Sequence, residues 1–190
     1  MRAFYRAAGL GSKRPSIDNR QRQAMLWRMI DIPPLLIAWH SRTGASEALA
    51  RAAKEGAGDR ALLLPAIEVA PEHLLAARAY LFVCPENLAA MSGQMKEMFD
   101  RSYYPVLGRI EGRPYATIIA AGSDGEGAQR QIDRIATGWR LRRVADPVIV
   151  ITHAQTAEEI LAPKALDQQF IMQAHELGAA LAEGVESGIF

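Results

Sequence analysis

The 190-residue chain is 49% hydrophobic and 23% charged, which is enough apolar material for one folded domain and too much for a disordered chain. Its net charge of +1 is uneven: residues 1–30 carry seven Lys and Arg against Asp18 alone, a net of +6, and the remainder is net −5. An acidic body argues against nucleic-acid binding, no apolar run approaches the ~18 residues of a membrane span, and a single cysteine, Cys84, excludes an internal disulfide.

No signal peptide is visible, and a lone thiol fits a cytoplasmic setting. His40, His73, His153 and His175 are scattered, without the Cys and His clustering of a metal site. Residues 1–24 hold Gly9-Leu-Gly-Ser12, a proline and many charges, and read as a flexible basic arm. Three readings stand open: a disordered extension, an interaction arm, or sequence translated upstream of a start at Met25 or Met29. The first and third are the simpler. A short helix near residues 21–30 fits the pattern. The expected organisation is a basic extension, 1–30, followed by one domain, 31–190.

Leu35–Trp39 is a short apolar run, long enough for a strand and too short for a core helix. It stops at Ser41, Thr43, Gly44 and Ser46, after which Ser46–Glu55 reads as a helix closed by Gly56. Its Ala48, Leu49, Ala52 and Ala53 share one face. A hydroxyl-rich turn before a helix gathers free backbone N–H groups at the positive helix end, which suits a phosphate. The plainer reading is a capping turn. One cap needs one hydroxyl, and this turn supplies three within six residues.

Ala61–Leu64 is a second strand, ended by Pro65, and Pro71–Ala77 a short helix with proline at its first position. Tyr80–Cys84 is apolar throughout, as in a buried parallel strand. Pro85–Gly93 reads as a loop and Gln94–Tyr103 as a helix with Met95, Met98 and Phe99 inward. Tyr115–Ala121 is the fourth strand. Gly122-Ser-Asp-Gly-Glu-Gly127 follows it and opens a helix that runs through Gln129, Ile132, Ile135 and Ala136 to Gly138. Trp139–Arg143 links to a fifth strand, Pro147–Thr152. The pattern then predicts one long helix over Pro163–Glu186, apolar on the side of Leu166, Phe170, Ile171, Ala174, Leu177, Ala180 and Leu181.

Strands alternating with helices imply an α/β three-layer sandwich, with a five-stranded parallel sheet in the order 2-1-3-4-5 and helices on both faces. The ligand crevice of that order lies at the carboxyl ends of the first and third strands. The turns rich in glycine and small polar residues follow the first, third and fourth strands. The first lacks the spacing of Walker A and of Gly-x-Gly-x-x-Gly, so a mononucleotide suits it better than a dinucleotide.

Ser41-Arg-Thr-Gly-Ala-Ser46 resembles the Thr/Ser-x-Thr-Gly-x-Thr phosphate loop of flavodoxins and flavodoxin-like NAD(P)H oxidoreductases. Pro85-Glu-Asn-Leu-Ala-Ala-Met-Ser-Gly-Gln-Met-Lys96, running on to Phe99-Asp-Arg101, is similar to the third-strand loop and helix of NADPH-dependent FMN reductases and quinone reductases. The resemblance covers residues 34–185. It implies a flavodoxin-like fold and FMN, with the phosphate at Ser41, Arg42, Thr43, Gly44, Ala45 and Ser46. The isoalloxazine would lie between Pro85, Glu86, Asn87, Leu88 and Ala89 on one side and Gly122, Ser123, Asp124 and Gly125 on the other. NADH or NADPH would be the electron donor, and a quinone, a flavin or another small molecule the acceptor.

Two departures matter. Serine replaces threonine at 41 and 46, which keeps both hydroxyls. The loops lack the paired Trp and Tyr that sandwich flavin in carrier flavodoxins, so an open flavin face favours a reductase over an electron carrier or an FMN-binding module without turnover. A third alternative is a phosphate binder that has lost flavin. Relatives often pair active sites in a homodimer, although no patch in this sequence requires one. The flavin carries the chemistry in such enzymes, so no catalytic acid or base is assigned. His40 and His153 fall near strand carboxyl ends and are within the repertoire of quinone protonation, but such histidines are more often structural. Cys84, ending a buried strand, reads as a packing residue.

Overall fold

Leu35–Trp39 forms β1, and its first four side chains are buried, as the apolar run requires. The structure is a computed structural model that describes residues 33–190, so the basic arm and the short helix expected near 21–30 lie outside the described residues. After β1 come α1 (Ala45–Ala57), a 3-10 turn (Gly58–Arg60), β2 (Ala61–Pro65), α2 (Pro71–Ala76), β3 (Ala79–Asn87) and β4 (Ala90–Met91). The chain continues with α3 (Gly93–Val106), β5 (Pro114–Ala121), α4 (Glu126–Gly138), β6 (Arg142–Arg143), β7 (Val148–Ile151), α5 (Ala157–Leu161) and α6 (Gln168–Glu186).

The sheet runs β2-β1-β3-β5, with the last position shared by β6 and β7, both parallel to β5. This is the predicted 2-1-3-4-5 order, with the fifth strand in two pieces. β6 pairs with the start of β5 and β7 with its end. Pro147 lies in the gap between them and has no N–H to continue the ladder. All eight residues of β5 are buried, the burial expected of a central parallel strand.

Two apolar layers sandwich the sheet. On one face, Leu74 of α2, Met95, Met98 and Phe99 of α3, and Ile132 of α4 pack on Leu36, Tyr80, Phe82 and Tyr115. Phe99 links Phe82 to Trp139, with ring centroids 4.9 and 5.3 Å apart. On the other face α1 and α6 cover Leu35, Ile37, Leu81, Val83 and Ile118. The α1–α6 contact is backbone-close: a Cβ on Gly56 would meet the His175 carbonyl oxygen at 2.0 Å, and one on Gly178 the Ala53 oxygen at 2.0 Å.

Three local expectations are corrected. Gly56 does not end α1, which runs to Ala57 and is capped by Gly58 at φ +60°. Gly56 is kept small by the helix that crosses it. Pro85–Gly93 is not a plain loop, because β3 stays paired with β5 through Pro85 and then folds back as an antiparallel hairpin, Glu86 opposite Met91 and Asn87 opposite Ala90. The final helix is not continuous from Pro163. The backbone N–H of Lys164 donates to the Thr43 carbonyl at 3.0 Å, holding that segment extended until α6 begins at Gln168. Ala180 on α6 is exposed, whereas Gly178 and Ala182 share the buried stripe.

Candidate functional site

A crevice opens where the carboxyl ends of β1, β3, β5 and β7 converge. Its β1 wall is Ser41, Arg42, Thr43, Ala45 and Ser46; its β3 wall is Pro85, Glu86 and Asn87. Ala120, Ala121 and Gly122 border it from β5, and Thr152, Ala154, Ile160 and Lys164 from the β7–α6 connection.

The β1 turn is built to present donors. Gly44 is the N-cap of α1 at φ +94°, a left-handed conformation that glycine adopts at no steric cost. The Gly44 N–H donates to Ser41 Oγ at 3.0 Å, closing the turn and leaving the Ser41 hydroxyl proton free to donate outward. Ala48 N–H donates to the Gly44 carbonyl at 2.9 Å, while the amides of Ala45 and Ser46 have no acceptor among the described residues. These are the orphan donors that every helix N-terminus leaves. Ser46 Oγ is buried and has no hydrogen-bond partner either. A buried hydroxyl without a partner is costly unless a ligand satisfies it. The donor set, the unpartnered hydroxyl and the positive helix end all fit an anion such as a phosphate.

At the second helix N-terminus at the crevice, that of α4, the Glu86 carboxylate takes two of the amides. Glu86 Oε1 accepts from Gly125 N–H at 3.0 Å and Oε2 from Ala128 N–H at 2.9 Å. Gly125 is the α4 N-cap at φ +89°, and a Cβ there would lie 2.5 Å from Ile149 Cγ2. A Cβ on Gly127 would meet the Ala89 carbonyl oxygen at 2.2 Å, so the β3–β4 hairpin rests directly on α4.

The expected site residues therefore divide. Ser41, Arg42, Thr43, Ala45, Ser46, Pro85, Glu86, Asn87 and Gly122 border one crevice. Gly44 shapes the turn without lining it. Leu88 and Ala89 form the hairpin tip, where Leu88 is fully exposed, and Ser123 and Asp124 are exposed on the way to α4. Gly125 is buried and serves α4. The sequence reading missed Ala120, Ala121, Thr152, Ala154, Ile160 and Lys164. Thr156-x-x-Glu159 was the available signal for a separate helix there, and it forms a reciprocal capping box.

His40 Nδ1 is buried with no partner, and burial, reinforced by the nearby Arg42 cation, holds the imidazole below its ordinary value. Burial pushes the Cys84 thiol up to about 12, which suits packing and not reaction. Among the described residues no group of His, Cys, Asp or Glu can hold a metal ion, and no helix is long and apolar enough to cross a membrane.

Residues 64–156 match the family described as NADPH-dependent FMN reductase. No curated protein matches the chain. An archaeal flavodoxin structure is 18% identical with a TM-score of 0.65, over 80% of this chain and 98% of that one. A WrbA-like flavodoxin from Agrobacterium tumefaciens is 17% identical with a TM-score of 0.59, over 80% and 97%. Rubredoxin oxygen:oxidoreductase from Desulfovibrio gigas is 14% identical with a TM-score of 0.65, over 89% of this chain and 40% of that one. The sheet order and these structures show a flavodoxin-like fold, and within it residues 64–156 are similar to the NADPH-dependent FMN reductase family.

Proposed function

We propose that the chain binds FMN and passes electrons from NADH or NADPH to a small acceptor such as a quinone or a flavin. The observation that carries this reading is the β1 turn, where unused amides and the unpartnered Ser46 hydroxyl face a crevice at the strand ends. Ser41, Thr43, Ser46 and the amides of Ala45 and Ser46 would hold the phosphate. Pro85–Asn87 and Gly122 would border the ring. When bound, FMN supplies the hydride and electron chemistry.

The chain itself binds, orients and shields. Among the described residues no aromatic side chain lines the crevice, which leaves a ring face open to a second ligand and favours turnover over pure carriage. Glu86 is tied to the α4 amides, which fixes the wall opposite the phosphate turn and keeps that carboxylate from acting as a free base. No side chain in the crevice is assigned as a catalytic acid or base.

Equilibrium binding of FMN to the purified protein, followed by anaerobic addition of NADPH or NADH, tests the proposal. The expected result is tight uptake and prompt bleaching of the bound flavin's visible absorbance. Protein that takes up no FMN overturns the reading. Loaded protein that neither nucleotide bleaches is a carrier or binding module instead.

A further inference from the structure

The β7–α6 connection carries a unit that the core does not hold. None of the five residues of α5, Ala157–Leu161, is buried, so packing alone does not fix this helix. It is tied at its ends. Thr156 Oγ1 accepts from Glu159 N–H at 3.2 Å, and Glu159 Oε2 accepts from the amides of Gln155 at 2.9 Å and Thr156 at 3.0 Å. At the other end Lys164 Nζ donates to the carbonyls of Glu159, Ile160 and Ala162. The Lys164 amide then donates to Thr43 O at 3.0 Å, joining the strap to the phosphate turn itself.

Three charged residues border the crevice: Arg42, Glu86 and Lys164. Glu86 is turned toward α4, where its carboxylate accepts two amides. Arg42 is exposed and has no ion-pair partner among the described residues, so its cation is not positioned. Lys164 is half-buried, its ammonium donates to three carbonyls, and it forms no ion pair among the described residues. Its charge is felt by the Glu159 carboxylate of the same strap without forming an ion pair with it, and its backbone amide ties this segment to Thr43.

We propose that Lys164, carried by the 156–164 strap, is the fixed cation of the anion site and sets its preference for a phosphate-bearing ligand over the uncharged ligand of the same shape. This rests on the flavin reading only for its choice of ligand pair. All three ammonium protons are already used, so the side chain acts through its charge across the crevice wall, as a positioning residue.

The test compares FMN with riboflavin, which lacks the phosphate, at low and high salt. Lys164→Met should lower the FMN-to-riboflavin affinity ratio by roughly fivefold or more at low salt and flatten its salt dependence. Lys164→Arg should restore both. Thr156→Ala loosens the other end of the strap with every charge kept, and should leave the ratio unchanged. A ratio that K164M leaves unchanged, including through parallel loss of both flavins, overturns the proposal, as does a ratio that T156A lowers equally. If K164M does not fold, Lys164→Gln keeps donors for the carbonyls and replaces it. If the wild type binds neither flavin, the flavin reading fails separately, and inorganic phosphate decides. A rise in Tm with phosphate over chloride at matched ionic strength, reduced in K164M, supports the fixed cation; an equal rise, or none in the wild type, overturns it.

Discussion

Glu86 and Gly125 are joined through the Glu86 carboxylate, which accepts the Gly125 amide at 3.0 Å and with its other oxygen takes Ala128 N–H at 2.9 Å. One carboxylate thus ties the β3–β4 hairpin to the start of α4 and satisfies two donors of that helix. At the α1 end no carboxylate plays this part, and the amides of Ala45 and Ser46 stay available to a ligand. Glu86→Gln keeps the size and removes the charge that both amides face. It should lower stability by about 1–3 kcal/mol and speed hydrogen exchange at Gly125 and Ala128. An unchanged urea midpoint with unchanged exchange at both amides would show that the tie contributes nothing.

Ser46 gives the sharpest separation of binding from folding. Its buried hydroxyl makes no bond within the protein, so Ser46→Ala should leave the stability of the ligand-free protein unchanged or raise it slightly. The same change should weaken FMN about tenfold, and Thr43→Ala with Ser46→Ala together more. Equal affinity for FMN in the double variant would mean that the phosphate sits elsewhere.

The hairpin tip offers a stabilising change. Leu88 and Ala89 sit at φ +51° and +58°, a left-handed pair that side chains other than Gly and Asn occupy at a cost. Asn and Gly are the residues this two-residue turn favours. Leu88→Asn with Ala89→Gly should therefore raise stability by about 1–2 kcal/mol, read from the denaturant midpoint. A lower midpoint would show that the exposed Leu88 makes contacts that outweigh its backbone conformation.

Where α1 and α6 meet, a methyl group has no room. Gly178→Ala places a Cβ 2.0 Å from the Ala53 carbonyl oxygen, and backbone cannot swing aside as a side chain tip can. The expected loss is about 1–3 kcal/mol in thermal or chemical unfolding. Wild-type stability in this variant would contradict the close helix crossing.

Two histidines set a pH dependence. Burial lowers His40, with Arg42 adding to the shift. Burial lowers His73 too, against the opposing pull of Glu72. His73 Nδ1 accepts the Ala70 amide at 2.9 Å, a bond that only the neutral ring can make. The unfolded chain therefore binds more protons than the native one just below the ordinary value of 6.5. Stability is level above that value and falls as pH drops through it. A variant with His40→Gln and His73→Gln should have a flatter profile between about pH 7 and 5, Gln at 73 keeping an acceptor for the cap. A profile as steep as wild type would place the proton linkage on other groups.

Much of this molecule is written locally. The runs Leu35–Trp39 and Tyr80–Cys84 are apolar because both faces of a central parallel strand are covered, and the β1 turn carries its hydroxyls within six residues of sequence. Strand order followed from strands alternating with helices, since right-handed crossovers leave few arrangements. Tertiary structure decided what local signals could not contain. Gly56 looks like a helix stop, yet it is a contact point for α6. Leu88-Ala89 carries no turn residue, so the hairpin exists because β4 pairs with β3 and Glu86 grips α4. The break before α6, and with it the place of Lys164 in the crevice wall, comes from one amide reaching Thr43 across 121 positions of chain. Periodicity reports which face of an element is apolar. Which backbone group finds a partner far away in the chain is settled only when the layers close.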